Sequence, residues 1–296
     1  MIYLPLIALA LIIPGCLGGR SSQKRAEEKG GAVTGGPHKS TPAALPQGPA
    51  RAPDRTQSDV LITGIPTLSQ DMSSHNPTQW EMSHWSNGNP FDATWQRDNV
   101  QFRDGVMILR LDNAGCPSQC DNKPFASGEY RTREERFGFG RYEARLKAAS
   151  GAGTVTSFFT YRGVYGQPSH HEIDFEVLGR NCHAVQTNYY VEGRGHHEQM
   201  IPLPFDACSE FHNYGFEWSR EALVFYVDGR EVRRVTEDSG TPHRDIPFEP
   251  GKIMVNFWPG TAEVNGWLGP FTYPGRPQEA RYDWIKFAEI SQNPAR

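Results

Sequence analysis

Residues 169–179 read Ser-His-His-Glu-Ile-Asp-Phe-Glu-Val-Leu-Gly. Glu172, Asp174 and Glu176 alternate with Ile173, Phe175 and Val177. Successive side chains of an extended strand point to opposite faces. One face therefore takes all three acids and the other takes three large apolar groups, as in a strand with one side on a core. The same period-two texture runs through VMILRLD (106–112), GRYEARLKA (140–148), TVTSFFTY (154–161), AVQTNYYV (184–191), YGFEWS (214–219), LVFYVDG (223–229) and KIMVNFW (252–258). Turn residues separate these runs, and no long amphipathic helix interrupts them. Many short strands with Gly, Asp, Asn and Pro between them predict an all-β sandwich or barrel.

Composition divides the chain. Of 296 residues, 30 are Gly and 23 are Pro, and only 37% are hydrophobic. Residues 2–17, IYLPLIALALIIPGCL, are apolar and uncharged. At about 15 residues they are short for a membrane span and fit the apolar part of an export signal. Cys16 at the end of that run is a candidate for lipid attachment, so residues 1–17 read as a signal peptide or lipoprotein signal. Residues 18–60 hold no aromatic side chain and carry seven basic and four acidic groups. Such a segment buries too little apolar area to offset its ordering entropy and reads as a disordered linker. The folded domain is expected over 61–296. It holds the remaining 23 basic and 30 acidic residues, a balance that offers nucleic acid no basic stripe. Export of the protein is expected, with membrane attachment through a lipidated N-terminus and a monomeric state.

Three acids on one strand face repel, and repulsion raises at least one pKa. That opposes stability and favours acid–base chemistry. Retaining glycosidases use such a set: one carboxylate attacks the anomeric carbon, and a protonated one about 5–5.5 Å away gives its proton to the leaving oxygen. Backbone positions i and i+4 on a strand lie farther apart than that, but inward-leaning Glu side chains can close the gap. A solvated acidic face or a Ca²⁺ site would show the same pattern. A non-catalytic carbohydrate-binding jelly roll is the reading from another class; it has no need of three crowded acids. The pairs His170-His171 and His196-His197 lack helical zinc-site spacing, and adjacent strand residues point to opposite faces, so zinc is not expected.

The Glu-x-Asp-x-Glu strand resembles the active-site strand of glycoside hydrolase family 16, in particular its lichenase-like bacterial β-glucanases and related exopolysaccharide depolymerases. Further segments resemble that family in the same order: WSNGNPFDATW (85–95), SGEYRT (127–132), FGFGRYEARLKA (137–148), TVTSFFTYRG (154–163), VQTNYY (185–190), KIMVNFWPG (252–260), GWLG (266–269) and YDWIKF (282–287). The resemblance implies a jelly-roll sandwich of two antiparallel sheets with a concave substrate cleft. It implies Glu172 as nucleophile, Asp174 as its assisting acid and Glu176 as general acid/base, with no cofactor for catalysis and a polysaccharide as partner. It places Asn87, Glu129, Arg131, Phe159, Tyr161, Gln186, Asn188, Tyr190, Asn256 and Trp258 against sugar, with Trp267 a weaker match. Trp85, Trp95 and Trp284 are expected in the core. It also implies structural calcium away from the cleft, with Asp283 and the Gly105 carbonyl as hard oxygen donors.

Two departures stand out. The family's Trp-Asp before the first Glu is replaced by His170-His171, which makes His170 a candidate substrate contact and brings acidic or decorated exopolysaccharides into consideration, cleaved or transglycosylated. The family's cysteine pair is also missing: Ala93 and Ser127 stand at those positions. Setting Cys16 aside leaves an even set of four, and an exported domain is expected to pair them. Cys116–Cys120 and Cys182–Cys208 is the connectivity expected, one of three.

Overall fold

A computed structural model describes residues 61–62, 66–113, 123–238, 240 and 244–290. The expected leader and linker, with Cys16, and the expected Cys116–Cys120 pair lie outside the described residues. In chain order the strands are β1 (Leu68–Asp71), β2 (Trp80–Met82), β3 (Ala93–Trp95), β4 (Val100–Arg103), β5 (Val106–Leu111) and β6 (Phe125–Ser127). They continue with β7 (Glu129–Thr132), β8 (Gly140–Lys147), β9 (Thr154–Arg162), β10 (His171–Leu178), β11 (Ala184–Tyr190) and β12 (Gln199–Pro202). The last five are β13 (His212–Trp218), β14 (Ala222–Val227), β15 (Arg230–Thr236), β16 (Lys252–Pro259) and β17 (Gln278–Glu289), with one short helix, α1 (Asn265–Leu268), before β17.

These form two large antiparallel sheets, as the alternating runs predict. One is ordered β12-β11-β10-β9-β16-β7-β2. The other is ordered β15-β14-β13-β8-β17-β5-β4, with β1 also on β17. The twelve residues of β17 serve three neighbours: β8 along one side, and along the other β5 for Gln278–Tyr282 and β1 for Trp284–Phe287. Asp283 falls between, where the register to β8 shifts.

The apolar half of each alternation fills the space between the sheets. Ile173, Phe175 and Val177 of β10 join Phe158 of β9 and Val255 and Phe257 of β16; against them lie Tyr142, Tyr214, Phe216 and Phe225. The Phe175 ring meets Tyr214 edge-on at 5.7 Å and Phe225 at 5.4 Å, and Phe158 lies 5.9 Å from Phe216. Each such side chain removed from water contributes roughly 1.5–3 kcal/mol, and this core is what holds the acid face of β10 outward. Cys182 and Cys208 form the expected disulfide, closing a 26-residue separation next to β11.

A second apolar cluster lies on the outer face of the seven-stranded sheet. It contains Trp95, Val155, Leu178, Trp258, Val264 and Leu268, with Trp85, Phe91 and Trp267 at its margin. Val155 and Trp258 are register partners and have the parity of the acid-bearing positions. The acid face is therefore roofed at one end.

Candidate active site

The strand registers set the acid face out in rows. One row runs Tyr190, Glu172, Tyr161, Lys252 across β11, β10, β9 and β16. The next runs Asn188, Asp174, Phe159, Met254, Arg131, Glu81. The third runs Gln186, Glu176, Ser157, Asn256, Glu129. Nearly all of the side chains expected around the acids are thus neighbours on one surface, and none of them comes from the opposite sheet.

Each acid has its own surroundings. Asp174 is buried, and the charges of Glu172 and Glu176 add to that burial, so its carboxyl is held well above the usual range; it is hydrogen-bonded to Glu172. Glu176 is pushed up to about 8, first by burial and then by Glu172. Gln186 Nε2 donates to Glu176 Oε2 at 2.7 Å, which opposes the rise, and Trp267 Nε1 holds Gln186 Oε1 at 3.0 Å. Trp267 thereby acts on Glu176 through Gln186. A protonated Glu176 at neutral pH is the state a general acid requires. Glu172 has 15% of its side chain exposed and accepts a 2.6 Å hydrogen bond from His170 Nε2.

The rest of the face is fixed by polar contacts. Ser83 Oγ donates to Glu129 Oε1 at 2.6 Å, and Asn256 Nδ2 donates to Glu129 Oε2 at 3.2 Å. Burial raises the Glu129 carboxyl, and these two donors pull it back. Ser157 Oγ donates to Asn256 Oδ1. Arg131 Nε donates to Glu81 at 2.8 Å, Lys252 Nζ reaches the same oxygen at 3.1 Å, and the Arg131 guanidinium lies 4.1 Å from the centre of the Trp85 ring.

Three expectations change. Trp258 is only 4% exposed and packs 4.3 Å from Phe91, so it is a wall of the second cluster, not an open platform. Trp85, expected in the core, is half-buried with Arg131 over its ring; Trp95 and Trp284 are buried. His170 is fully buried and meets Glu172 instead of offering a ring to substrate. Asn87 is half-buried in the bend after Trp85.

Tyr165 is the main residue that the sequence reading missed. It sits in the loop between β9 and β10, with its ring 5.2 Å from His170 and 5.7 Å from Tyr190. Gly163 makes that loop possible: its φ is +82°, and a Cβ there would lie 2.0 Å from the Ser169 carbonyl oxygen. An aromatic residue inside a Gly- and Pro-flanked loop beside the acid strand was the available signal.

The calcium expectation concerns the other sheet. Asp283 follows Tyr282, whose register partner Met107 lies two residues after Gly105 of the β4–β5 turn, and β17 is an inner strand of that sheet. The Asp283 carboxylate is fully buried with Arg145 Nε at 3.4 Å, and its carbonyl accepts from Met72 N–H at 3.0 Å.

Alternating acids among amides and aromatic rings on one sheet of a β-sandwich define a carbohydrate-active site. The family model "Glycosyl hydrolases family 16" matches residues 87–286, and the chain belongs to that family. A β-glucanase of Acetivibrio thermocellus is 45% identical over 216 residues, covering 73% of this chain and 60% of that protein. A β-glucanase of Paenibacillus polymyxa is 41% identical over 224 residues, covering 74% of this chain and 86% of that protein. The crystal structure of a β-1,3-1,4-glucanase (lichenase) from a mouse hindgut metagenome is 40% identical, with a TM-score of 0.67 over 75% of this chain and 99% of its own. The chain thus spans about three-fifths of the length of the A. thermocellus relative.

Proposed function

We propose that the domain is an endo-acting retaining β-glucan hydrolase working by double displacement. The observation that carries this reading is the pair of carboxyls on one face of β10 with unlike partners: Glu172, half-buried and hydrogen-bonded to His170, and Glu176, half-buried beside Gln186 and pushed up to about 8. Glu172 attacks the anomeric carbon while Glu176 gives its proton to the glycosidic oxygen, and the leaving sugar departs. The glycosyl–Glu172 ester is then hydrolysed: Glu176, now a carboxylate, takes a proton from water as the water oxygen attacks the same carbon. Asp174, protonated in its crowded site, hydrogen-bonds Glu172 and fixes its orientation. Asn87, Arg131, Tyr161 and Tyr190, the half-buried members of the set, hold successive sugar rings, the aromatic ones against C–H faces, above a floor of buried Glu129, Phe159, Asn188 and Asn256.

Reducing-end release from barley β-glucan, lichenan, laminarin, xyloglucan and an acidic exopolysaccharide tests the reading. Barley β-glucan and lichenan are expected to be cleaved; release from none of the five contradicts it. Transfer to an added sugar acceptor would use the same machinery. Because Glu176 must be protonated, kcat/KM on polysaccharide falls on an alkaline limb centred near pH 8, and an activated aryl glycoside, whose leaving group needs no proton, is expected to lack that limb. The same limb on the aryl glycoside would assign it to another group.

Calcium belongs to the same proposal. The Asp283 carboxylate, which Arg145 already approaches, and the Gly105 carbonyl are hard oxygen donors on the sheet opposite the acids, where an ion would brace the fold and take no part in chemistry. Chelation is expected to lower Tm by several degrees and to leave kcat at low temperature unchanged; an unmoved Tm contradicts the site. Export, attachment through Cys16, the linker at 18–60 and a monomeric state are proposed from the sequence on the same footing.

A further inference from the structure

His170 is a fully buried imidazole whose Nε2 lies 2.6 Å from Glu172 Oε2. Its other nitrogen, Nδ1, accepts the Gly166 N–H at 3.4 Å. A nitrogen that accepts carries no proton, so this network assigns the proton to Nε2 and makes it the donor to Glu172. The ring is walled by Tyr190 at 4.6 Å and by Tyr161 and Tyr165 at 5.2 Å each. With no exposed surface, His170 reaches the reaction only through Glu172.

We propose that His170 is a positioning residue for Glu172: it holds Oε2, leaving the other carboxylate oxygen to face the anomeric carbon, and it stabilises the carboxylate when that group is expelled from the glycosyl-enzyme. The inference rests on the retaining mechanism above. In the second step the water oxygen bonds to the anomeric carbon, the C–O bond to Glu172 breaks with its electron pair staying on Glu172, and the water proton goes to Glu176. A donor bonds a carboxylate more strongly than an ester oxygen, so the Nε2–H bond strengthens along this step. In the first step the carboxylate is the starting state, and the same bond weakens. Losing the donor therefore harms deglycosylation more than glycosylation.

The test uses His170→Phe, which fills the space without a donor, and His170→Gln, which can present an amide N–H. Steady-state and stopped-flow kinetics are measured on an aryl β-glucan oligosaccharide with a dinitrophenolate leaving group. His170→Phe is expected to lower kcat about ten- to a hundredfold, to lower kcat/KM less, and to show a burst of one equivalent of phenolate. His170→Gln recovers much of kcat. A kcat like wild type in His170→Phe, or an equal fall in kcat and kcat/KM without a burst, overturns the role. Should His170→Phe not fold, ¹⁵N NMR of the wild-type protein decides: Nε2–H with bare Nδ1 supports the assignment, and the opposite tautomer overturns it. Wild-type enzyme giving inverted product would instead sink the retaining mechanism itself.

Discussion

Replacing Glu172 by Ala is expected to abolish turnover, with azide restoring part of it with inversion at the anomeric carbon. The alanine leaves room beside the anomeric carbon, on the side where Glu172 Oε would attack, and a small anion entering there makes a single displacement. No covalent intermediate then forms and the second inversion is lost. Replacing Glu176 by Gln has a different signature. The amide has no proton to give, so polysaccharide hydrolysis falls by about 10²–10⁴, while an activated aryl glycoside suffers much less in the first step. The two variants separate nucleophile from acid because their partners differ: Glu172 is bonded to His170, whereas Glu176 is bonded to Gln186 and holds its proton up to about pH 8. Azide rescue of Glu176→Ala but not of Glu172→Ala, with inverted product, would reverse the roles.

The second large effect is on stability, and its sign follows from the same crowding. Glu176 is pushed up to about 8 in the folded protein from its ordinary 4.5. A carboxyl whose folded pKa is raised holds its proton in the native state while the unfolded chain has released it. The stability it contributes is whole below about pH 4.5 and drains away as pH rises through about 8. The drain is roughly 5 kcal/mol at full strength. Glu176→Gln keeps an acceptor for the Gln186 amide and removes the drain. Its Tm should match wild type near pH 4 and exceed it by roughly 10–20 °C near pH 9. A difference independent of pH would mean that Glu176 is not held protonated. The inactive variant is thus the more stable one, because the acids are held together against their own repulsion by the packing beneath them.

The fold and the acid strand were legible because both are local. Alternation of Glu172, Asp174 and Glu176 with Ile173, Phe175 and Val177 is a property of six adjacent residues, and the core behind them is a set of similar runs. The roles of Trp258 and Trp85 were not legible. Trp258 lies on the acid-bearing parity, as its strand predicts, but a separate segment ending in Leu268 folds over that end and buries it. Trp85 depends on Arg131, which reaches it from another strand. His170 was read as a substrate contact since it stands where the family carries Trp; its burial depends on Tyr190 and on a loop closed by Gly163. The anchoring of Glu129 by Ser83 and Asn256 joins β7, β16 and the segment after β2, all distant in sequence. Pairings of this kind come from tertiary register, which no short window contains.

The central claim is that Glu172 becomes covalently bonded to sugar. A 2-deoxy-2-fluoro β-glucan oligosaccharide carrying a dinitrophenolate leaving group slows the second step more than the first, so the intermediate accumulates. Mass spectrometry of the protein and of its peptides should then show one added glycosyl group per chain, on the peptide containing Glu172 and on that side chain. An intact protein of unmodified mass after phenolate release, or a glycosyl group on any other residue, would contradict the account.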